Sequence, residues 1–177
     1  LEPQGCPLER FDELFAALTQ ARRASDGYFV QSHADETRLL FVVSGVPYGA
    51  GLLAGEERRF LDIREFFAAY RRDADAPLSF FAADKRLLLG LMVCFQHRPA
   101  RLFTDGANGD AVLNGLEAHG GSAVLCLRGD EDWGITLCAS GRPVANYFPP
   151  AGTPALEMGT TPAEQLQAYL VTLSPLV

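Results

Sequence analysis

Two stretches decide the fold: residues 27–50, GYFVQSHADETRLLFVVSGVPYGA, and residues 121–145, GSAVLCLRGDEDWGITLCASGRPVA. The first, with the residues just after it, reads as three strands at 28–33, 38–43 and 46–53, joined by polar turns. The second, extended in the same way, reads as strands at 122–128, 133–139 and 143–148. Gly27-Tyr28-Phe29-Val30 matches Gly121-Ser122-Ala123-Val124, and Asp35-Glu36 matches Asp130-Glu131. Ser44-Gly45-Val46-Pro47 matches Ser140-Gly141-Arg142-Pro143. The offsets run 94, 95 and 96. Agreement in order and in turn position points to an internal duplication of one meander.

Working outward, each block is flanked by helical periodicity. Leu8, Phe11, Leu14, Phe15 and Leu18 have the spacing of an amphipathic helix over 8–23. Leu61, Ile63, Phe66, Phe67 and Tyr70 predict a helix over 58–72. Before the second block, Asp110 reads as the cap of a short helix through Val112, Leu113 and Leu116, which stops at Gly120-Gly121. After it, Thr161, Pro162 and Glu164 are a cap, a first helical residue and the third residue of a capping box. Between the blocks, residues 78–82 read as a short strand. Asp84 caps a run over 85–97 that is apolar nearly all round, which marks a central or interface helix.

The expected architecture is therefore α+β: two helix, three-stranded antiparallel meander, helix units. Unit one covers about 8–72, a connecting strand and apolar helix about 77–98, and unit two about 110–172. Leu39, Phe41 and Val43 point to one side of a strand and Leu40 and Val42 to the other, so both sheet faces need cover. That requirement predicts one intertwined, pseudo-symmetric domain over 1–177, with the apolar helix between its halves.

Composition narrows the function. Hydrophobic residues make up 48% of the 177 and charged ones 21%, ordinary values for a folded chain. Fifteen Lys+Arg against 22 Asp+Glu give a net charge of -7, the wrong sign for a domain that binds nucleic acid by neutralising phosphates. No apolar run is long enough to span a membrane. The start, Leu1-Glu2-Pro3, has neither a signal-peptide pattern nor a Met, and is read as that of a trimmed product or a domain of a longer chain. Four cysteines, Cys6, Cys94, Cys126 and Cys138, do not make a disulfide framework, which points to a reducing cytoplasm.

No motif carries catalysis. Gly45, Gly49, Gly51 and Gly55 fit neither nucleotide-binding pattern, and read as strand positions of close backbone approach. Cys94 and His97 have the spacing of half a metal site with no second half. Cys126 and Cys138 are placed to face each other across a hairpin. Asp105 to Asp110 is turn chemistry rather than a calcium loop. His33, His97 and His119 have no linear partner for acid–base work. No catalytic, cofactor-binding or metal residue is therefore expected. The candidate interaction surface is made of Arg58, Arg59, Arg64 and Arg71 on the 58–72 helix, with Asp130, Glu131 and Trp133 at the second acidic turn.

The repeat unit, a Gly-hydrophobic strand, an acidic turn, an apolar strand and a Ser-Gly-x-Pro turn into a strand ending in small residues, resembles the PATAN domain of bacterial two-component signalling. Residues 27–50 and 121–145 carry the resemblance. Meanders of this kind also occur in profilin-like and roadblock-like regulators. The resemblance implies a non-enzymatic regulatory module that binds other proteins and is frequently joined to receiver domains. It implies no catalytic residues, and the helix over 85–97 is not part of the motif. A homodimer is expected from the aromatic and leucine content. The alternatives are a small-molecule sensor with an apolar cleft between the halves and, third, an unrecognised hydrolase.

Overall fold

The computed structural model describes residues 25–55, 57–73, 75–98, 109–128, 133–148 and 159–173. The helix expected over 8–23, the turn at 105–108, the acidic tip at 130–132 and the loop at 149–158 lie outside these residues. The chain divides into two compact units, 1–98 and 99–177. Among the described residues the fold is α+β, with four helices and two antiparallel sheets of five and three strands. None of these helices is long and apolar enough to cross a membrane.

The first unit contains β1 (Gly27–His33), β2 (Glu36–Val43), β3 (Val46–Ala54), β4 (Glu57–Leu61), α1 (Ile63–Arg72), β5 (Leu78–Ala82) and α2 (Lys85–Gln96). Strand order is β4-β3-β2-β1-β5. Both faces of β2 are apolar, and each has its own cover. Leu40 and Val42 join Phe29, Ala50, Leu61 and Leu78 beneath Phe66 and Tyr70 of α1. Leu39 and Phe41 meet Leu88, Met92 and Phe95 of α2 on the other side. The apolar helix thus serves as the second cover of this sheet, leaving Leu89 and Val93 exposed. Asp84 starts it as expected, accepting the backbone N–H groups of Arg86 and Leu87 at 2.8 and 2.9 Å.

The glycines of β3 explain how the covers come so close. A Cβ on Gly51 would stand 2.8 Å from the Phe95 ring, and one on Gly49 2.4 Å from the Phe60 ring. These are positions of close approach, as the composition of the strand predicts.

The expected helix over 58–72 is a strand followed by a helix. Glu57–Leu61 pairs with Ala50–Ala54, and the helix starts only at Ile63. The break has a local cause. Asp62 accepts the N–H of Arg64 at 2.7 Å, and the Glu65 carboxylate accepts the N–H of Asp62 at 3.0 Å, a complete capping box.

The second unit contains α3 (Gly109–His119), β6 (Ala123–Arg128), β7 (Trp133–Ala139), β8 (Arg142–Tyr147) and α4 (Pro162–Leu173), with sheet order β6-β7-β8. Its core joins Val112 and Leu116 of α3, Leu127 and Cys138 of the sheet, and Leu166, Tyr169 and Leu170 of α4. Asp110, expected as the cap of α3, lies inside the first turn and accepts from the Gln167 side chain at 2.8 Å. Gly120, at φ +66, ends the helix. Thr161 and Glu164 make the expected box at the start of α4, the Thr161 N–H donating to the Glu164 carboxylate at 2.7 Å.

The two meanders share one register. Gly27 pairs with Val42 and Ala123 with Cys138, each position 96 residues after its counterpart. Val42 pairs with Pro47 and Cys138 with Pro143, and each pairing is followed by a register shift at the same place. A proline is tolerated there because a bulge frees the strand from one ladder bond. Ser44-Gly45 and Ser140-Gly141 both turn through positive φ, 53 and 74 in one case and 51 and 72 in the other, the geometry that suits a two-residue hairpin. The Gly45 N–H donates to the Ser25 carbonyl at 3.0 Å, and the Gly141 N–H to the Gly121 carbonyl at 2.9 Å. The displacement is therefore 96 throughout. Gly121 corresponds to Ser25 rather than to Gly27, because shared hydrogen bonding, not shared residue type, defines equivalence.

Candidate interaction surface

Beta-strand alternation sorts the predicted arginines. Arg58 and Phe60 lie on the α2 side of β4, whereas Arg59 and Leu61 lie on the α1 side. Arg59 reaches the Glu65 carboxylate of α1 at 3.5 Å, with both side chains about half exposed. Arg64 and Arg71 stand seven residues apart on the exposed face of α1. The fold therefore groups Arg59, Arg64 and Arg71 and separates Arg58 from them. Trp133 is the first residue of β7, opposite Arg128. Asp130 and Glu131 lie outside the described residues.

A buried polar cluster sits at the far end of the same helix. Gln31 and Arg38 are cross-strand partners on the α1 side of the sheet, 0% and 3% exposed. The Arg38 guanidinium donates to Asp73 at 2.5 Å, to Glu36 at 2.5 Å and to the Gln31 side-chain oxygen at 3.3 Å. Gln31 in turn donates to the backbone carbonyl of Asp73, the residue that caps α1. Hydrogen bonds from Arg72 and then from Arg38 hold the Asp73 carboxyl down to about 2, from an ordinary 3.8. The cluster locks the end of α1 to the sheet. Gln31 signals it in the sequence: on β1 it follows Phe29 on the inward face, where an amide needs a partner.

The second unit solves the same problem with the polarity exchanged. The counterparts of Gln31 and Arg38 are Leu127 and Gly134. Here the Phe148 and Tyr169 rings, stacked at 4.1 Å and 7°, lie over Gly134, where a Cβ would meet them at 3.1 and 3.0 Å. Conversely, the counterparts of apolar Leu40 and Ala50 are Thr136 and Asn146. The buried Thr136 hydroxyl donates to Asn146 at 2.7 Å, and Asn146 donates to the Pro162 carbonyl at 2.7 Å and the Gln165 oxygen at 3.1 Å. One amide thus anchors the first turn of α4. In both units the buried polar side chains are committed to holding a helix on its sheet.

The cysteines depart from expectation. Cys126 pairs with Ile135 and Cys138 with Ala123, which places them on opposite faces of the second sheet rather than facing each other. Neither is in a disulfide, nor is the buried Cys94. Burial pushes the Cys138 thiol up to about 11, far from the thiolate a nucleophile needs. His97 is exposed at the end of α2, where its backbone N–H donates to the Val93 carbonyl. His119 closes α3 beside Gly121. Among the described residues no group of three or more His, Cys, Asp or Glu is placed to hold a metal ion.

Comparison with family models, with curated proteins and with solved structures returns no match.

Proposed function

We propose that this chain is a non-enzymatic regulatory module of bacterial signal transduction that works by binding other proteins, built from a duplicated, PATAN-like meander. The observation that carries the proposal is the common register of the two meanders. The same turn, the same bulge with its proline and the same closing hydrogen bond recur 96 residues apart. The recurring features are those on which the family resemblance rests. Buried polar side chains in both units serve helix anchoring, which favours a scaffold that presents surfaces. A cytoplasmic setting and a homodimer belong to the same proposal.

Immobilised chain of residues 1–177, exposed to lysate of its source cells, should retain a partner that free chain displaces. Recovery of nothing above the bare support would sink the proposal. Sedimentation at a mass of 19.2 kDa rather than twice that would remove its dimer component.

A further inference from the structure

Helix α1 carries Arg64, Arg71 and Arg72 against one glutamate, in a chain whose net charge is -7. Phe66 and Tyr70 fix its inner face in the core. The outer face presents Arg64, Glu65, Ala68, Arg71 and Arg72 to solvent. Two of the basic groups on this side already have partners, Arg59 with Glu65 at 3.5 Å and Arg72 with Asp73 at 3.2 Å. Arg64 and Arg71 have no acidic partner among the described residues. Helix stability does not account for Arg64, since a cation in the first turn opposes the helix dipole. Arg71, in the last turn, has the dipole's favour but no counter-ion among the described residues.

Seven helical residues rise about 10.5 Å, so the two guanidiniums mark the ends of a two-turn stripe with small Ala68 between them. We infer that this face of α1 docks an acidic helical segment of a partner protein, whose two carboxylates lie about two turns apart and each meet one arginine. The inference rests on the interaction-module reading above and names the partner's chemistry. Arginine's planar fork suits paired hydrogen bonds to a carboxylate, and Ala68 lets a second helix approach closely. Glu65 on the same face repels a phosphate backbone, and Phe66 and Tyr70 are buried in the core with Phe67 half-buried against it. The large apolar side chain beside the two arginines, Phe67, is half-buried against the core, which leaves little apolar surface to enter a lipid layer.

The probe is a fluorescent, side-chain-stapled helical peptide with two glutamates seven positions apart. A second peptide of the same composition has them three apart, and binding of each to the full chain is read by anisotropy. The first peptide should bind more tightly than the second, and more weakly as salt rises. Arg64→Ala/Arg71→Ala should weaken it by on the order of tenfold, and Arg64→Lys/Arg71→Lys by less. Arg86→Ala, on α2 at the other face of the sheet, should leave it unchanged. Equal binding of the two peptides, or no loss in the double alanine variant with its circular dichroism intact, would overturn the inference. So would tighter binding of single-stranded DNA or of phosphatidylserine vesicles through the same two arginines. Partners captured from lysate equally by wild type and the double alanine variant would remove α1 as the docking face and leave the interaction module standing. Capture of none by either would remove that module as well.

Discussion

Replacing Arg38 by alanine should destabilise the first unit by about 3 kcal/mol. The side chain is 4% exposed, and it bridges Asp73 and Glu36 at 2.5 Å and Gln31 at 3.3 Å. Truncation leaves the oxygen of a fully buried Gln31 without its donor, which costs about 1–3 kcal/mol. It also removes two buried methylenes at about 0.8 kcal/mol each. These losses are contained in the about 3–5 kcal/mol that breaking a buried ion pair by deleting one partner costs, and the low end applies because Asp73 keeps Arg72 and Glu36 is 43% exposed. The second unit names the rescue, since Leu127 occupies the position equivalent to Gln31. Gln31→Leu/Arg38→Leu removes both ends of the amide–guanidinium contact, and should recover at least half of the loss. Urea unfolding at neutral pH, followed by far-ultraviolet circular dichroism, measures both variants from the midpoint at unchanged slope. A loss below about 0.5 kcal/mol in Arg38→Ala, or a double variant no better than the single, would refute the view that this cluster anchors α1.

The same cluster sets an acid limit. The Asp73 carboxyl is lowered in the folded state from 3.8 to about 2, so its contribution is fully present above 3.8 and is lost as pH falls toward 2; acid titration of wild type and Arg38→Ala should show a shallower loss over that window in the variant. Gly51→Val should cost about 1–3 kcal/mol by driving a side chain into the Phe95 ring, and Phe95→Leu in the same chain should return part of it in thermal melts. Gly141→Ala should be worse than Gly55→Ala. Both have positive φ, but a Cβ at Gly141 would also stand 2.7 Å from the Leu116 carbonyl, whereas Gly55 has open space; equal losses in urea titrations would show the backbone contact to be irrelevant. In native protein at pH 8, Cys138 should resist alkylation that labels unfolded chain, because burial keeps its thiol protonated.

Much of the fold was legible because its signals are local. Period-two alternation placed the strands of both meanders, Ser-Gly pairs placed their hairpin turns, and Asp84 and Thr161 placed the starts of two helices. The misreading of 58–72 has a local origin too. Leu61, Ile63 and Phe66 satisfy helical spacing across the boundary, and only the Asp62–Glu65 box tells strand from helix. The site was less legible. Arg58 and Arg59 look equivalent on a helix but fall on opposite faces of a strand. Cys126 and Cys138 look opposed until the pairing register is known, and a register is a relation between strands rather than a property of either.

Taken alone, then, the sequence determined the α+β class, the meander order, the turns and the demand that both faces of β2 be covered, because propensity, periodicity and capping act over a few residues. Tertiary structure decided what covers them: α1 and α2 on the two faces of the first sheet, and α3 with α4 packed into the core of the second. It also fixed the constant displacement of 96 between the meanders, and the exchange of Gln31–Arg38 for Leu127–Gly134 and of Leu40–Ala50 for Thr136–Asn146. Such choices depend on which side chains meet across distant segments. A buried amide or guanidinium is tolerable only where a partner from elsewhere in the chain satisfies it, and that partner is known only once the chain has folded.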